Sequence, residues 1–285
     1  MFAAPFDYHR PRTVDEAIKL LREVKGARLL AGGHSLLPAM KLRLASPTAL
    51  IDIGRIAELS GIKSTKDGLQ IGAMTTHAAI AASDAVRRSC PVLATTAGNL
   101  GDMQVRNRGT IGGSVAHADP GADYPTVLML LGARFTVADG KQREIAAEDF
   151  FLDLFTTSIK EGELLTSVSV PSTDGASAVY LKHRHPASAF AVVGVAVLLR
   201  MKDGKCGEVR ISIGGATAVP VRAKSAERAL TGQAANEANI ERAAAAVGEA
   251  LKDPLGDSYA SGEFRVHLAT VMTKRALTQL AFKAR

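Results

Sequence analysis

The chain has 285 residues, 47% of them hydrophobic, enough to bury a sizeable core spread over two or three subdomains. Its longest apolar stretch, 189–199, has only eleven residues, against the roughly 20 needed to span a bilayer, so a buried strand is expected there and a membrane helix is not. The net charge of +7 is uneven: residues 1–175 hold 19 Lys+Arg and 19 Asp+Glu, residues 176–285 hold 16 and 9. The excess is scattered, without the aromatic interleaving that would point to nucleic acid.

Thr13 opens the first helix as N-cap, with Glu16 placed to return to the Thr13 amide in a capping box. Val14, Ala17, Ile18, Leu21 and Val24 then repeat at helical spacing, and Gly26 suits the stop. A strand over 28–31 feeds a glycine loop, and 50–53 reads as a second buried strand. Residues 69–73 return to strand, after which Thr75 or Thr76 caps a helix running to Ala82. Pro91 takes the first position of the next helix, followed by Val92, Leu93 and Ala94. Then come a helix over 124–131, a strand over 134–138 ended by Asp139-Gly140, and a strand over 164–170 stopped by Pro171.

Composition shifts near 171–175, and so does the pattern. Strands are expected over 178–183, 189–199 and 208–213, with a turn at Asp203-Gly204, then helices over 221–230, 237–251 and 262–281. Strands followed by helices make an antiparallel sheet covered on one face, an α+β arrangement. The expected division is 1–57, 58–175 and 176–285.

Two glycine motifs stand out. Thr110-Ile111-Gly112-Gly113-Ser114 places adjacent glycines among hydroxyls, and a smaller copy, Ala31-Gly32-Gly33-His34-Ser35, follows Leu29 and Leu30. Without Cβ atoms a ligand can lie against the backbone, and amides and hydroxyls can cradle a phosphate. Two such loops, about 80 residues apart, point to one extended ligand held from two sides. Neither Gly-x-Gly-x-x-Gly nor a P-loop is present.

Asp119, before Pro120, reads as a turn residue. Paired with Asp123 it could otherwise serve as general acid and base. Ser114, His117 and Asp119 lie too close together in sequence for a hydrolase triad, and no nucleophile elbow accompanies them. His183 and His185 share a strand face without a third metal ligand nearby. Cys90 and Cys206 are far apart and read as buried free thiols of a reducing compartment. An iron–sulfur cluster usually takes four thiolates, so any cluster must belong to a partner. The N-terminus lacks the basic start and apolar centre of a signal peptide, which makes the cytoplasm the expected location.

The motifs at 31–38 (Ala31 through Pro38), 106–114 (Arg106 through Ser114) and 118–123 (Ala118 through Asp123) closely resemble those of the FAD-binding medium subunits of molybdenum hydroxylases. The likeness is nearest to the carbon monoxide dehydrogenase medium chains and more distant to the FAD domain of xanthine dehydrogenase. It runs from Phe6-Asp7-Tyr8 to the last helix. The resemblance implies a two-part FAD-binding domain followed by a C-terminal domain with a three-stranded antiparallel sheet and helices. It implies non-covalent FAD, gripped at its diphosphate by the amides of Gly32 to Ser35. The cofactor contacts carried over are Leu29, Leu30, Ala31, Gly32, Gly33, His34, Ser35 and Leu36 in the first motif. Thr110, Ile111, Gly112, Gly113 and Ser114 form the second, with Leu100, Asp123, Leu165 and Lys182 outside both.

The resemblance also implies partners: a large molybdopterin subunit that oxidises substrate and a small subunit with two [2Fe–2S] clusters, in a heterotrimer that dimerises. This chain would then pass electrons on without a substrate-oxidising residue of its own. A self-sufficient flavin oxidase of the same superfamily, or a binding module whose glycines are structural turns, are the alternatives. The stretch Ala73-Met74-Thr75-Thr76-His77 leans towards the carbon monoxide branch, while carbon monoxide, aldehydes and N-heterocycles all stay open as substrates of the complex.

Overall fold

A computed structural model describes residues 2–283. The first part of the chain runs β1 (Asp7–His9), α1 (Val14–Glu23), β2 (Ala27–Leu30), α2 (Leu36–Lys41) and β3 (Ala49–Asp52). The three strands form a parallel sheet in the order β1-β3-β2. Thr13 caps α1 by accepting from the Glu16 amide at 3.2 Å. The reciprocal half of the expected box differs: the Glu16 carboxylate takes the Arg12 amide at 2.7 Å, one residue earlier than Thr13. Ala17 and Ile18 of α1 pack on Ile51 and Ile53, and on Ala138 and Leu164 from the next part of the chain.

That next part begins with β4 (Ile62–Thr65) and β5 (Gly68–Gly72), then five helices in close succession. These are α3 (His77–Ala82), α4 (Asp84–Ser89), α5 (Pro91–Gly98), α6 (Met103–Arg108) and α7 (Ile111–His117). It continues through α8 (Asp123–Leu131), β6 (Arg134–Ala138), β7 (Gln142–Ala146) and α9 (Ala147–Phe150). The short hairpin β8 (Phe151–Asp153) and β9 (Thr156–Thr157) precedes β10 (Leu164–Pro171). Five strands pair antiparallel in the order β4-β5-β10-β6-β7. Every residue of α8 is buried, because this helix lies between that sheet and the C-terminal one.

The last part contains β11 (Ser177–Arg184), β12 (Ala191–Lys202), β13 (Lys205–Gly214) and β14 (Val221–Arg222). The helices α10 (Lys224–Leu230), α11 (Glu237–Ala245) and α12 (Gly262–Lys283) follow. The antiparallel sheet has a fourth, short strand where the sequence pattern predicts the start of a helix. Val221 and Arg222 pair with Ile213 and Ser212, and α10 begins only at Lys224. The helix predicted over 237–251 turns 3-10 after Ala245.

Strand β12 explains the arrangement. Successive side chains on a strand point to opposite faces. Val193, Val195, Val197 and Leu199 pack under α10 to α12, whereas Ala196 and Leu198 join the core built by α3 to α8 on the five-stranded sheet. One strand therefore serves two cores, and both of its faces are apolar because neither meets water.

A candidate FAD site at the meeting of two glycine motifs

After β2 the backbone turns sharply through residues 31–35, with Gly33 at φ +75°. Among the described residues, the amides of Gly32, Gly33, His34 and Ser35 donate to no protein acceptor, and His34 and Ser35 are exposed. Four successive unspent amides in an exposed turn form a ready cradle for an anionic oxygen. His34 Nδ1 donates to the Gly32 carbonyl at 2.9 Å, which pins the ring to its own loop. Leu29 and Ala31 pack on the small core beneath, and Leu36 opens α2.

The second motif differs from the loop expected of it: it is the first turn of α7. Thr110 is the N-cap, its Oγ1 accepting the Gly113 amide at 3.1 Å. The Ile111 amide donates to Thr75, that of Gly112 to Ala73 and that of Ser114 to Thr110. These amides are spent inside the protein, so the two motifs are not equivalent. The glycines here serve close packing instead. A Cβ on Gly112 would come within 2.5 Å of the Ala73 Cβ, and one on Gly113 within 2.8 Å of Thr110 Oγ1.

Packing also joins the two motifs. A Cβ on Gly32 would lie 2.3 Å from the Arg108 carbonyl oxygen, and the Gly113 Cβ position is 3.6 Å from the Ala31 Cβ. Behind them sits His77, whose place at the site no local pattern of residues marks. Its amide donates to the Gly109 carbonyl at 3.0 Å, and its Nε2 would be 2.5 Å from a Cβ on Gly109. His77 stacks obliquely on Tyr124, with centroids 5.3 Å apart. Burial, with lesser repulsion from His34 and Arg106, pushes the His77 imidazole down to about 4. Its Nδ1 and the Tyr124 hydroxyl are both buried without a hydrogen-bond partner among the described residues.

Tyr124 follows Asp123, and here the C-terminal part reaches in. The buried Asp123 carboxylate accepts from Lys182 Nζ at 2.7 Å and from the Tyr180 hydroxyl at 2.5 Å. Lys182 and Tyr180 stand on one face of β11. Two residues further on, Arg184 donates to the Asn99 carbonyl at 3.1 Å, beside Leu100. Arg106 Nη1 holds the carbonyls of Leu100 and Gly101, each at 3.0 Å. A connected path thus runs from Gly32 through Gly109, His77 and Tyr124 to Asp123 and Lys182. Leu165 stands apart from it, buried on β10 opposite Val137, in the core that also holds Ile111 and Val115.

The remaining residues fall into structural places. Asp119 Oδ1 accepts the Gly121 amide at 2.9 Å, closing the turn expected before Pro120. His117 stacks on Phe155 with centroids 5.2 Å apart, and His183 and His185 both face the Tyr259 ring. Cys90 and Cys206 are buried free thiols, and burial raises the Cys90 thiol to about 12. No helix among the described residues is long and apolar enough to cross a membrane.

Residues 4–173 match the family described as the FAD binding domain in molybdopterin dehydrogenase. Residues 178–280 match the CO dehydrogenase flavoprotein C-terminal domain. The carbon monoxide dehydrogenase medium chain of Afipia carboxidovorans is 36% identical over 288 aligned positions, covering 100% of both chains. The glyceraldehyde dehydrogenase medium chain of Sulfolobus acidocaldarius is 35% identical, covering 99% of this chain and 100% of that one. Among solved structures, a chain of the Hydrogenophaga pseudoflava carbon monoxide dehydrogenase superposes with a TM-score of 0.95 at 38% identity, with 99% of each chain covered. A chain of quinoline 2-oxidoreductase from Pseudomonas putida 86 also gives a TM-score of 0.95, at 32% identity, covering 100% of this chain and 99% of that one. With two family models along its length and relatives that match it end to end, this chain belongs to the FAD-binding medium subunits of the molybdenum hydroxylases.

Proposed function

We propose that this chain carries FAD between partner [2Fe–2S] clusters and an external acceptor, in a carbon monoxide dehydrogenase-like complex. The observation that carries the reading is the set of four unspent amides at Gly32 to Ser35, packed directly against the Gly109–Gly113 backbone. In this reading the diphosphate lies on those amides. Gly113, only partly covered, lets the cofactor approach the start of α7, and Asp123 and Lys182 serve the part that carries hydroxyls and ring heteroatoms. Leu29, Leu30, Ala31 and Leu36 shape the first motif, and Leu100 and Leu165 supply apolar packing.

Bound FAD supplies the redox chemistry. The protein holds its anionic portion with neutral backbone donors, gives the ring system a buried charge pair, and keeps water out with the core behind Tyr124. Two buried, distant thiols supply no cluster ligands, which supports placing the iron–sulfur relay in a small partner subunit and substrate oxidation in a large molybdopterin one. Two such heterotrimers would pair in the full assembly, located in the cytoplasm. The parts at 1–57 and 58–175 would form the cofactor domain and 176–285 its C-terminal closure.

The test is direct. The protein, purified with its partners, is expected to show flavin absorbance and to release FAD into the supernatant on acid precipitation. Gly33→Asp, which puts a carboxylate on the anion cradle at a positive-φ position, should abolish flavin content. Full flavin stoichiometry in that folded variant would overturn the assignment.

A further inference from the structure

Tyr180 and Lys182 leave β11 on the same face and meet at one carboxylate, while Val179 and Leu181 between and before them pack into the C-terminal core. Each Asp123 oxygen is therefore engaged by this chain itself, Oδ1 by the Tyr180 hydroxyl at 2.5 Å and Oδ2 by Lys182 at 2.7 Å. A lysine ammonium carries three donors. One is spent on Asp123, and the other two have no acceptor among the described residues, although the Lys182 side chain is only 7% exposed. Burying an ammonium with unspent donors is costly unless something else accepts them. Those two N–H groups are left for an acceptor from outside the chain.

The fold makes room for this arrangement at the cross-strand neighbour. Gly194 pairs with Lys182 across β11 and β12, and a Cβ there would stand 2.4 Å from the Tyr180 hydroxyl oxygen. A side chain at 194 would push the phenol off Asp123. Tyr180 is half-buried, and burial followed by the Asp123 charge raises its hydroxyl well above the usual tyrosine value. The hydroxyl therefore keeps its proton and donates it to Asp123.

We propose that Tyr180 is a positioning residue for the flavin: its hydroxyl fixes the Asp123 carboxylate, which in turn orients Lys182 so that the two remaining ammonium N–H groups meet the cofactor. Asp123 acts here as the counter-ion of Lys182. The proposal rests on the FAD reading given above and adds what tunes the cofactor once bound. A cation held towards the flavin favours its electron-rich reduced form. Loosening that cation should shift the balance back towards the oxidised form.

The experiment uses the intact complex with wild type, Tyr180→Phe, Lys182→Met and the double variant. FAD stoichiometry is measured together with the ratio of reduced to oxidised FAD affinity, read from the flavin midpoint potential. Tyr180→Phe should keep full FAD and lower that ratio by about fivefold, within the range of measured couplings between touching side chains. Lys182→Met should lower it further, and adding Tyr180→Phe to Lys182→Met should change nothing more. Gly194→Ala, which pushes the phenol off Asp123 from the neighbouring strand, should lower the ratio in the same direction, and that loss should vanish without Lys182. Should Tyr180→Phe fail to fold, the Gly194→Ala series decides in its place, and a ratio it leaves unmoved overturns the role. An unmoved potential with full FAD, or additive shifts in the double variant, overturns the positioning role. A purely structural tyrosine would lower melting temperature equally in both backgrounds and leave the potential alone. Wild-type complex lacking FAD would instead defeat the reading beneath it.

Discussion

His77 shows what a single residue costs when a site is built around it. It is 5% exposed, with its Nδ1 unpartnered and its Nε2 against Gly109. A neutral imidazole can be buried there, but a charged one must give up hydration without a counter-ion. The sign of the resulting pH dependence follows. With the folded value near 4 and the unfolded value near 6.5, the unfolded chain binds the extra proton first, so stability falls as pH drops through that interval. The loss should total about 3 kcal/mol and be absent above pH 7. Urea unfolding at successive pH values is expected to show this slope in wild type and to show it flattened in His77→Gln. An equal slope in both would mean that His77 does not carry it.

At the scale of an element, α7 shows how a glycine motif expected to form a loop can instead open a helix. A glycine pair among hydroxyls is compatible with an anion-binding loop and with a tightly packed helix start. The choice depends on where the amides go, and they go to Ala73, Thr75 and Thr110. The buried Thr110 therefore holds the whole segment as its cap. Thr110→Ala should cost about 1 to 2 kcal/mol in urea unfolding, with Thr110→Ser recovering most of it, as for other buried caps. Flavin affinity should weaken in Thr110→Ala yet remain measurable, unlike in Gly33→Asp, because the unspent amides lie on the other motif. Neighbouring elements were illegible for a different reason. Short segments such as β4 and α6 bury little: α6 has no buried residue, so no apolar period marks it.

Over the whole molecule, the C-terminal part is wedded to the rest through α8. Gly214 at the end of β13 faces Thr126, where a Cβ would stand 1.9 Å from Thr126 Oγ1. The Gly215 amide donates to Pro120 at 3.0 Å and that of Ala191 to Gly121 at 3.0 Å. Those contacts set β11 over the start of α8, where Lys182 and Tyr180 find Asp123. Gly214→Val should separate the sheet from α8, costing about 1 to 3 kcal/mol through overpacking. Melting temperature should fall, and flavin content with it, although residue 214 is not among the cofactor contacts. A variant that melts lower with full flavin would show that docking and cofactor geometry are separable.

Local chemistry was enough to mark α1, with its threonine cap and helical spacing, and the two-faced apolar strand β12. It marked both glycine motifs and the Asp119 turn as well, because caps, periods and missing Cβ atoms act over a few residues. What local chemistry leaves undetermined is the use made of each group. Whether an amide is free depends on carbonyls more than 30 residues away, as Gly112 depends on Ala73. The Asp123–Tyr180–Lys182 cluster likewise joins residues 57 and 59 positions apart. Only the docking of β11 on α8 brings them together, since hydrogen bonds and charge pairs act over a few ångströms in space regardless of their separation along the chain.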